Sequence, residues 1–317
     1  MGDLNTEITE KKKKPKSKKR SSKEKEIRLK RKRAKQIKNI IALVVALGII
    51  IGCVVIISNV MSKNEDFEKT SSGEFIDESD LIDETEQIYK DVPYYIEGYH
   101  ERYMDFAEKH PEKTSDEVVW MVNANLDMPK YNYDIPVTQS DSDTIIVNKY
   151  YKVADDYKPT DLTIIDDQQL RQPAAAAFIK MRNDAVADNY KIQVVSGYRT
   201  VEEQSALYNG YLENDTQENV DRYCERPGYS EHHTGLAVDV VGSKEGTEEF
   251  INTPEYSWIR DNCYKYGFII RYTDETEDIT GYQSQPWHLR FVGEDISKAM
   301  KEENITSYEE YYAKYLQ

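Results

Sequence analysis

Residues 40–57, IIALVVALGIIIGCVVII, form an unbroken apolar run, and residues 58–61 add only mild polarity. That length approaches the roughly 20 residues needed to cross about 30 Å of hydrocarbon, so the pattern predicts a membrane-spanning helix over 40–61. Beyond it the apolar positions fall in short groups. Thr114-x-x-Glu117 is a capping box opening a helix through Val118, Val119, Trp120, Val122 and Asn123. Residues 127–165 are rich in turn formers, with a strand expected at Thr144–Val147. Gln168–Asp188 reads as a helix with Pro173 in its first turn and a packable run at Ala174–Ala177. A short strand at Ile192–Val195 follows, then a helix capped by Thr200 and Glu203. The stretch Leu236–Val241 alternates so that Asp239 points to the face opposite Val238 and Val240. Thr253-Pro254 starts a helix that Gly267 ends, strands follow at Phe268–Tyr272 and His288–Val292, and a last helix is capped by Ser307 and Glu310. Short strands mixed with helices and no repeating βαβ pattern predict an α+β domain.

Charge divides the chain further. Residues 1–39 hold 17 Lys/Arg against 5 Asp/Glu, and residues 40–61 hold neither. The remainder carries 25 basic and 53 acidic residues, so the formal net charge of −16 describes no single part. Basic residues before the apolar run and acids after it place the tail in the cytoplasm and residues 62–317 outside, by the positive-inside rule. A cleaved signal peptide would carry a much shorter basic region, so the run is expected to remain as an anchor. The tail could be read as a nucleic-acid arm. Its place beside an anionic membrane face, where each basic residue gains about 1 kcal/mol, favours the lipid surface instead. Residues 62–90 are acidic, serine-rich and without apolar periodicity, which predicts a solvated stalk. The chain thus divides into a tail (1–39), an anchor (40–61), a stalk (62–90) and an extracellular domain (91–317).

Cysteines constrain little. Cys53 falls within the apolar run, while Cys224 and Cys263 would face an oxidising exterior and could pair. Their spacing gives no zinc signature.

The chemistry gathers in two blocks. The first, RPGYSEHHTGLAVD at 226–239, carries His232 and Asp239; the second, at 286–290, carries His288. A loop holding His232, a tight turn at Gly235 and a strand carrying Asp239 would bring the two side chains together, with the His288 strand alongside. Two imidazoles and one carboxylate leave a fourth position on zinc for water, the open arrangement that metal-assisted hydrolysis needs. Other divalent ions suit the same donors nearly as well. His233 would point elsewhere, as a supporting partner behind the site or a surface residue, and Arg199 could pair with an acid on this acidic surface. Trp287 and Tyr198 are equally readable as plain core aromatics.

SGYRT at 196–200, SEHHTGLAVDV at 230–240 and QPWHLRFVG at 285–293 resemble the VanY-type D-alanyl-D-alanine carboxypeptidases. The resemblance covers roughly residues 95–315. It implies a small antiparallel sheet with flanking helices, shared with the Hedgehog signalling domain. The implied activity is that of a zinc enzyme trimming the D-Ala end of peptidoglycan stem peptides. Carried over by position, His232, Asp239 and His288 become zinc ligands and Arg199 holds the scissile carbonyl and its developing oxyanion. Ser230 and Gln204 match positions contacting the peptide and its terminal carboxylate, and Tyr198 and Trp287 line the pocket.

One position departs from the family. Where it has the glutamate that takes a proton from the attacking water, this chain has Gln285. An amide can orient water but cannot accept a proton at neutral pH, and general acid–base catalysis is worth about 10²–10⁴-fold. Three readings stay open: a wall-peptide binder or regulatory domain descended from an enzyme, a peptidase in which Glu231 or Asp278 acts as base, or an altered copy that traps substrate. An L,D-carboxypeptidase acting on shorter stems is a further variant, because the metal site does not fix which bond is cut.

Overall fold

In the computed structural model, the residues described are 87–132, 138, 140–243, 246 and 249–317. They fall within one unit, Asp77–Gln317. Among them no helix is long and apolar enough to cross a membrane, and the apolar run at 40–57 lies outside them.

After a helical turn at 87–90 and a 3₁₀ turn at Glu97–Tyr99 comes a helical pair, α1 (His100–Lys109) and α2 (Ser115–Asn123). The capping box forms as the sequence predicts: Glu117 N donates to Thr114 Oγ1 at 3.2 Å and Thr114 N donates to a Glu117 carboxylate oxygen at 2.9 Å. Tyr103 and Phe106 of α1 pack with Val118, Val119 and Val122 of α2 in a small core of their own.

The strand expected at Thr144–Val147 does not form; Ile145, Ile146 and Val147 are buried in irregular backbone. Side chains take the carbonyls a ladder would have used. Tyr308 Oη donates to Thr144 O at 2.9 Å and Arg290 Nη2 donates to Ile145 O at 2.5 Å. The helix expected from Gln168 also starts later. A hairpin comes first, β1 (Leu162–Ile165) against β2 (Gln168–Arg171), turned by Asp166 and Asp167 at φ 50° and 65°. Asp tolerates this left-handed pair, which suits a two-residue hairpin. α3 then runs Gln172–Ala187, with Pro173 in its first turn where a missing N–H costs nothing.

The central sheet contains β3 (Gln193–Ser196), β4 (Ala237–Val241), β5 (Phe268–Tyr272) and β6 (Gln285–Phe291), ordered β3-β4-β6-β5 and antiparallel throughout. One face takes Val194, Val238, Val240, Phe268, Leu289 and Phe291 into the main core. Ala174, Phe178, Met181 and Ala185 of α3 pack against it, Phe178 meeting Phe268 edge-on at 6.2 Å. The remaining helices are α4 (Val201–Leu212), α5 (Gln217–Tyr223), α6 (Pro254–Asn262), α7 (Glu277–Thr280), α8 (Glu294–Glu303) and α9 (Tyr308–Tyr315). The fold is α+β, with a small antiparallel sheet and flanking helices. Cys224 and Cys263 are both buried free thiols, so the pairing left open by the sequence is absent.

Candidate metal centre

Strand register assembles the centre. Asp239 of β4 stands opposite Ser196 of β3 on one side and His288 of β6 on the other. The period-two alternation that buries Val238 and Val240 turns Asp239 to the other face, as its sequence pattern requires. His232 arrives from a single 3₁₀ turn, Glu231–Thr234, capped by Ser230 and ended by Gly235 at φ +67°. A side chain there would be strained, and its Cβ would meet Arg171 and Leu162 side-chain carbons at 3.0 Å. The turn thus returns the chain directly into β4.

The three side chains converge. One ligand atom from each of His232, Asp239 and His288 lies within 4.8 Å of the others. His232 Nε2 is 3.3 Å from one Asp239 oxygen and His288 Nδ1 is 3.0 Å from the other. The opposite ring nitrogens are held from behind: His232 Nδ1 by Gly197 O at 2.7 Å, and His288 Nε2 by Glu231 at 3.4 Å. Such outer partners fix ring orientation and leave the inward nitrogen as the ligand atom. The donor set therefore fits a divalent ion. Burial opposes the Asp239 charge, but both histidines outweigh it and hold the carboxyl far below the usual range.

Glu231 belongs to a buried lattice. Arg271 Nε and Arg290 Nη1 donate to its Oε1 at 2.8 and 2.9 Å, and Arg271 also grips Glu309 at 3.0 and 2.5 Å. Burial would raise the Glu231 carboxyl, but Arg271 and Arg290 drive it far below its usual range. That commitment removes Glu231 as a substitute base. Asp278 is exposed on α7 and lines a hollow with Lys130, Lys149 and Gly281, whose walls include none of the three converging residues. Neither acid considered from sequence reaches the centre as a free base.

Arg199 follows β3 and is partly exposed. Its guanidinium donates to Ser196 Oγ at 2.6 Å and Gln204 Oε1 at 2.5 Å, and among the described residues it makes no ion pair. The surface pairing considered from sequence is therefore absent. Gln204 is buried and also donates to Glu225 O at 2.6 Å, so it braces Arg199 from below. Ser230 is buried too; it accepts from His232 N at 3.2 Å and donates to Glu225. Tyr198 and Trp287 are part-buried, Trp287 packing against the main core. Gln285, 7% exposed, opens β6 and donates its amide to Tyr223 O at 3.3 Å.

Sequence reasoning left one contributor open, as an outer partner or a surface residue, and missed two. His233 is fully buried, accepting Gly228 N–H at Nε2 (3.0 Å) and so donating from Nδ1 to Arg199 O (2.7 Å). It ties the Arg199 segment to the metal loop, and its adjacency to His232 was the available signal. Tyr272 lays its ring 5.0 Å from that of His288. Glu225 carried no signal at all among 58 acids.

Residues 167–294 match the VanY family, described as D-alanyl-D-alanine carboxypeptidase. The bifunctional D-Ala-D-Ala dipeptidase and carboxypeptidase VanXYC of Enterococcus gallinarum is 30% identical over 176 residues, 53% of this chain and 92% of that protein. The chain belongs to the VanY family. A D-alanyl-D-alanine carboxypeptidase of Enterococcus faecium is 37% identical over 203 residues, 63% of this chain; the chain spans 61% of that relative's length. Among solved structures, the LdcB LD-carboxypeptidase overlays with a TM-score of 0.50 at 36% identity, covering 53% of this chain and 84% of its own. The three motif blocks at 196–200, 230–240 and 285–293 all fall inside the family match.

Proposed function

We propose that this chain is a zinc carboxypeptidase of peptidoglycan stem peptides, removing a terminal D-alanine outside the cell while residues 40–61 anchor it in the membrane. The observation that carries the reading is the convergence of His232, Asp239 and His288 beside an arginine that no acid among the described residues neutralises. His232 Nε2, an Asp239 oxygen and His288 Nδ1 would hold the ion. Bound zinc supplies Lewis-acid polarisation of a carbonyl and a more acidic water. The protein's own residues do the rest. Arg199, preset by Ser196 and Gln204, offers fixed positive charge to the oxyanion that develops on the scissile carbonyl. Its free charge on a domain of acidic balance also suits an anionic peptide terminus.

Two observations support further readings. The overlay with an LD-carboxypeptidase favours an L,D variant acting on tetrapeptide stems. The amide at 285, tied to the Tyr223 carbonyl, favours a domain that binds stem peptides without turnover. Zinc-loaded full-length protein given pentapeptide and tetrapeptide stems separates the three. D-alanine from the pentapeptide supports the proposal, and D-alanine from the tetrapeptide alone supports the L,D reading. Retention of peptide without release makes the chain a binder; neither release nor retention would overturn every stem-peptide reading.

A further inference from the structure

The C-terminal end of α5 is closed by donors from two distant segments. A helix leaves its last carbonyls without helical partners. Here Asp221 O receives Lys149 Nζ at 2.6 Å, Arg222 O receives Gln283 N at 2.8 Å and Tyr223 O receives Gln285 Nε2 at 3.3 Å. The same Lys149 ammonium donates to Gly281 O at 2.7 Å, in the turn that leads into β6. It therefore bonds both sides of a seam that ends at Gln285. Gly281, at φ +73°, makes room for it: a Cβ there would lie 3.0 Å from Lys149 Nζ. Gln285 in turn stands beside the metal centre. It pairs on β6 with Tyr272 of β5, whose ring lies 5.0 Å from that of His288.

Lys149 is held in an unusual way for a buried lysine. It is 3% exposed and, among the described residues, forms no ion pair. Buried lysines are seldom left without an acid. The Asp221 carboxylate is taken by Arg226, at 2.9 and 2.6 Å, and by Tyr208 Oη at 2.7 Å. Lys149 keeps the two backbone carbonyls and the face of Tyr282, its Nζ 4.1 Å from the ring centroid. Its own carbonyl accepts Tyr131 N at 2.7 Å, which fixes the base of the side chain.

We infer that Lys149 is a positioning residue for stem-peptide binding: by joining Asp221 O to Gly281 O it sets α5 against the start of β6, and so places Gln285 beside the metal. This rests on the stem-peptide reading proposed above. An ammonium suits the task better than a neutral amine, because charge-assisted bonds are roughly twice as strong. That charge is within reach of loss. Burial and the repulsion of Lys130 bring the ammonium down to about 8; Arg226 adds to this, while Asp221 and Glu225 oppose it. Burial keeps the neighbouring Tyr131 and Tyr282 phenols neutral. Lys149 lines a hollow of about 370 Å³ with Glu218, Arg222, Glu277 and Asp278, which gives its proton a way to solvent. Arg222 and Glu277 there are paired with each other. As pH rises through about 8 the seam should loosen and the peptide should bind less tightly.

The test uses zinc-loaded full-length protein and N-acetylated pentapeptide and tetrapeptide stems between about pH 6 and 10. KM is read for the stem that releases D-alanine, and Kd where none is released. Lys149→Met should raise that constant about 3–30-fold at neutral pH, keep one zinc per chain, and abolish the further rise that the native chain shows at alkaline pH. Lys149→Arg, whose guanidinium stays charged, should recover most of the loss and remain level with pH. In a Gln285→Ala background, Lys149→Met should add less than about twofold, because the group it places is gone. A lysine that merely stabilised the fold would act equally in both backgrounds. Lys149→Met within about twofold of native, or with its zinc lost, would overturn the assignment and leave the stem-peptide reading standing. The same holds for an alkaline rise of equal size in the native chain and Lys149→Arg. A native chain that neither releases D-alanine nor retains either stem, with zinc bound, would remove the stem-peptide reading and this assignment with it.

Discussion

His288 lies between two carboxylates, Asp239 at Nδ1 and Glu231 at Nε2. Burial alone would lower its pKa, but the hydrogen bonds to both acids outweigh it and carry the imidazole up to about 10. In protein stripped by a chelator, His288 therefore holds a proton at neutral pH, and that pairing stabilises the fold below the unfolded value near 6.5. The contribution fades as pH rises through about 10. A metal ligand must be neutral, so zinc binding should expel this proton. Affinity should then rise about tenfold per pH unit between roughly pH 6 and 8. Calorimetry in buffers of different ionisation enthalpy should count about one released proton; a pH-independent affinity would contradict the arrangement. Arg199 makes a second residue-scale prediction. Replacing it by alanine should lower kcat about 10²–10³-fold, the usual cost of one oxyanion donor, with zinc content unchanged. Glu231→Gln should act on stability instead, by about 3–5 kcal/mol in urea unfolding, because it leaves Arg271 and Arg290 buried without their shared carboxylate.

At the scale of elements, the site depends on how closely β2 approaches the end of β3. A Cβ on Gly197 would lie 2.4 Å from Gln169 O, while the Gly197 carbonyl itself holds His232 Nδ1. Gly197→Ala must therefore push β2 away and shift the histidine's acceptor together. It should cost about 1–3 kcal/mol in thermal or urea unfolding and weaken zinc binding. Gly210→Ala, within α4 and with nothing within 4 Å of the added carbon, should instead gain about 0.5–1 kcal/mol and leave zinc affinity unchanged. The same contrast explains what was legible in the sequence. Strand β4 and the facing of Asp239 follow from local alternation, and α2 and α4 from their capping boxes. Strand β6, expected from His288, begins at Gln285 and is buried on both faces, so no alternation marks its start. Glycine and proline marks in the two blocks pointed to the histidines. The β1–β2 hairpin was hidden because two aspartates, not Asn-Gly, make its turn. Ile145–Val147 looked like a strand because it is apolar, yet distant Arg290 and Tyr308 satisfy its carbonyls. Glu225 was invisible for a related reason: the Tyr272 hydroxyl that binds its carboxylate comes from 47 residues further along the chain.

Across the whole molecule, charge and hydropathy are segregated by position. The basic tail and the apolar run could each hold the chain at a membrane, but by different forces. Lysine and arginine attraction to anionic lipid is worth about 1 kcal/mol per residue and is screened at 1 M salt, where the Debye length is about 3 Å. Burial of the residue 40–57 run in hydrocarbon is insensitive to salt. In the proposed arrangement, full-length protein should stay in the membrane fraction through 1 M salt and alkaline carbonate. A variant lacking 40–61 but keeping the tail should be released by salt alone. Residues 62–317 should be soluble and keep the zinc stoichiometry of the parent, since all three proposed ligands lie within the unit Asp77–Gln317. Protease added to intact cells should remove the catalytic domain and spare an epitope placed before residue 39. Protection of the domain instead would invert the proposed topology and place the metal centre on the side of the membrane away from the wall. Such an outcome would also leave the free charge of Arg199 without the anionic stem peptide that the proposed function assigns to it.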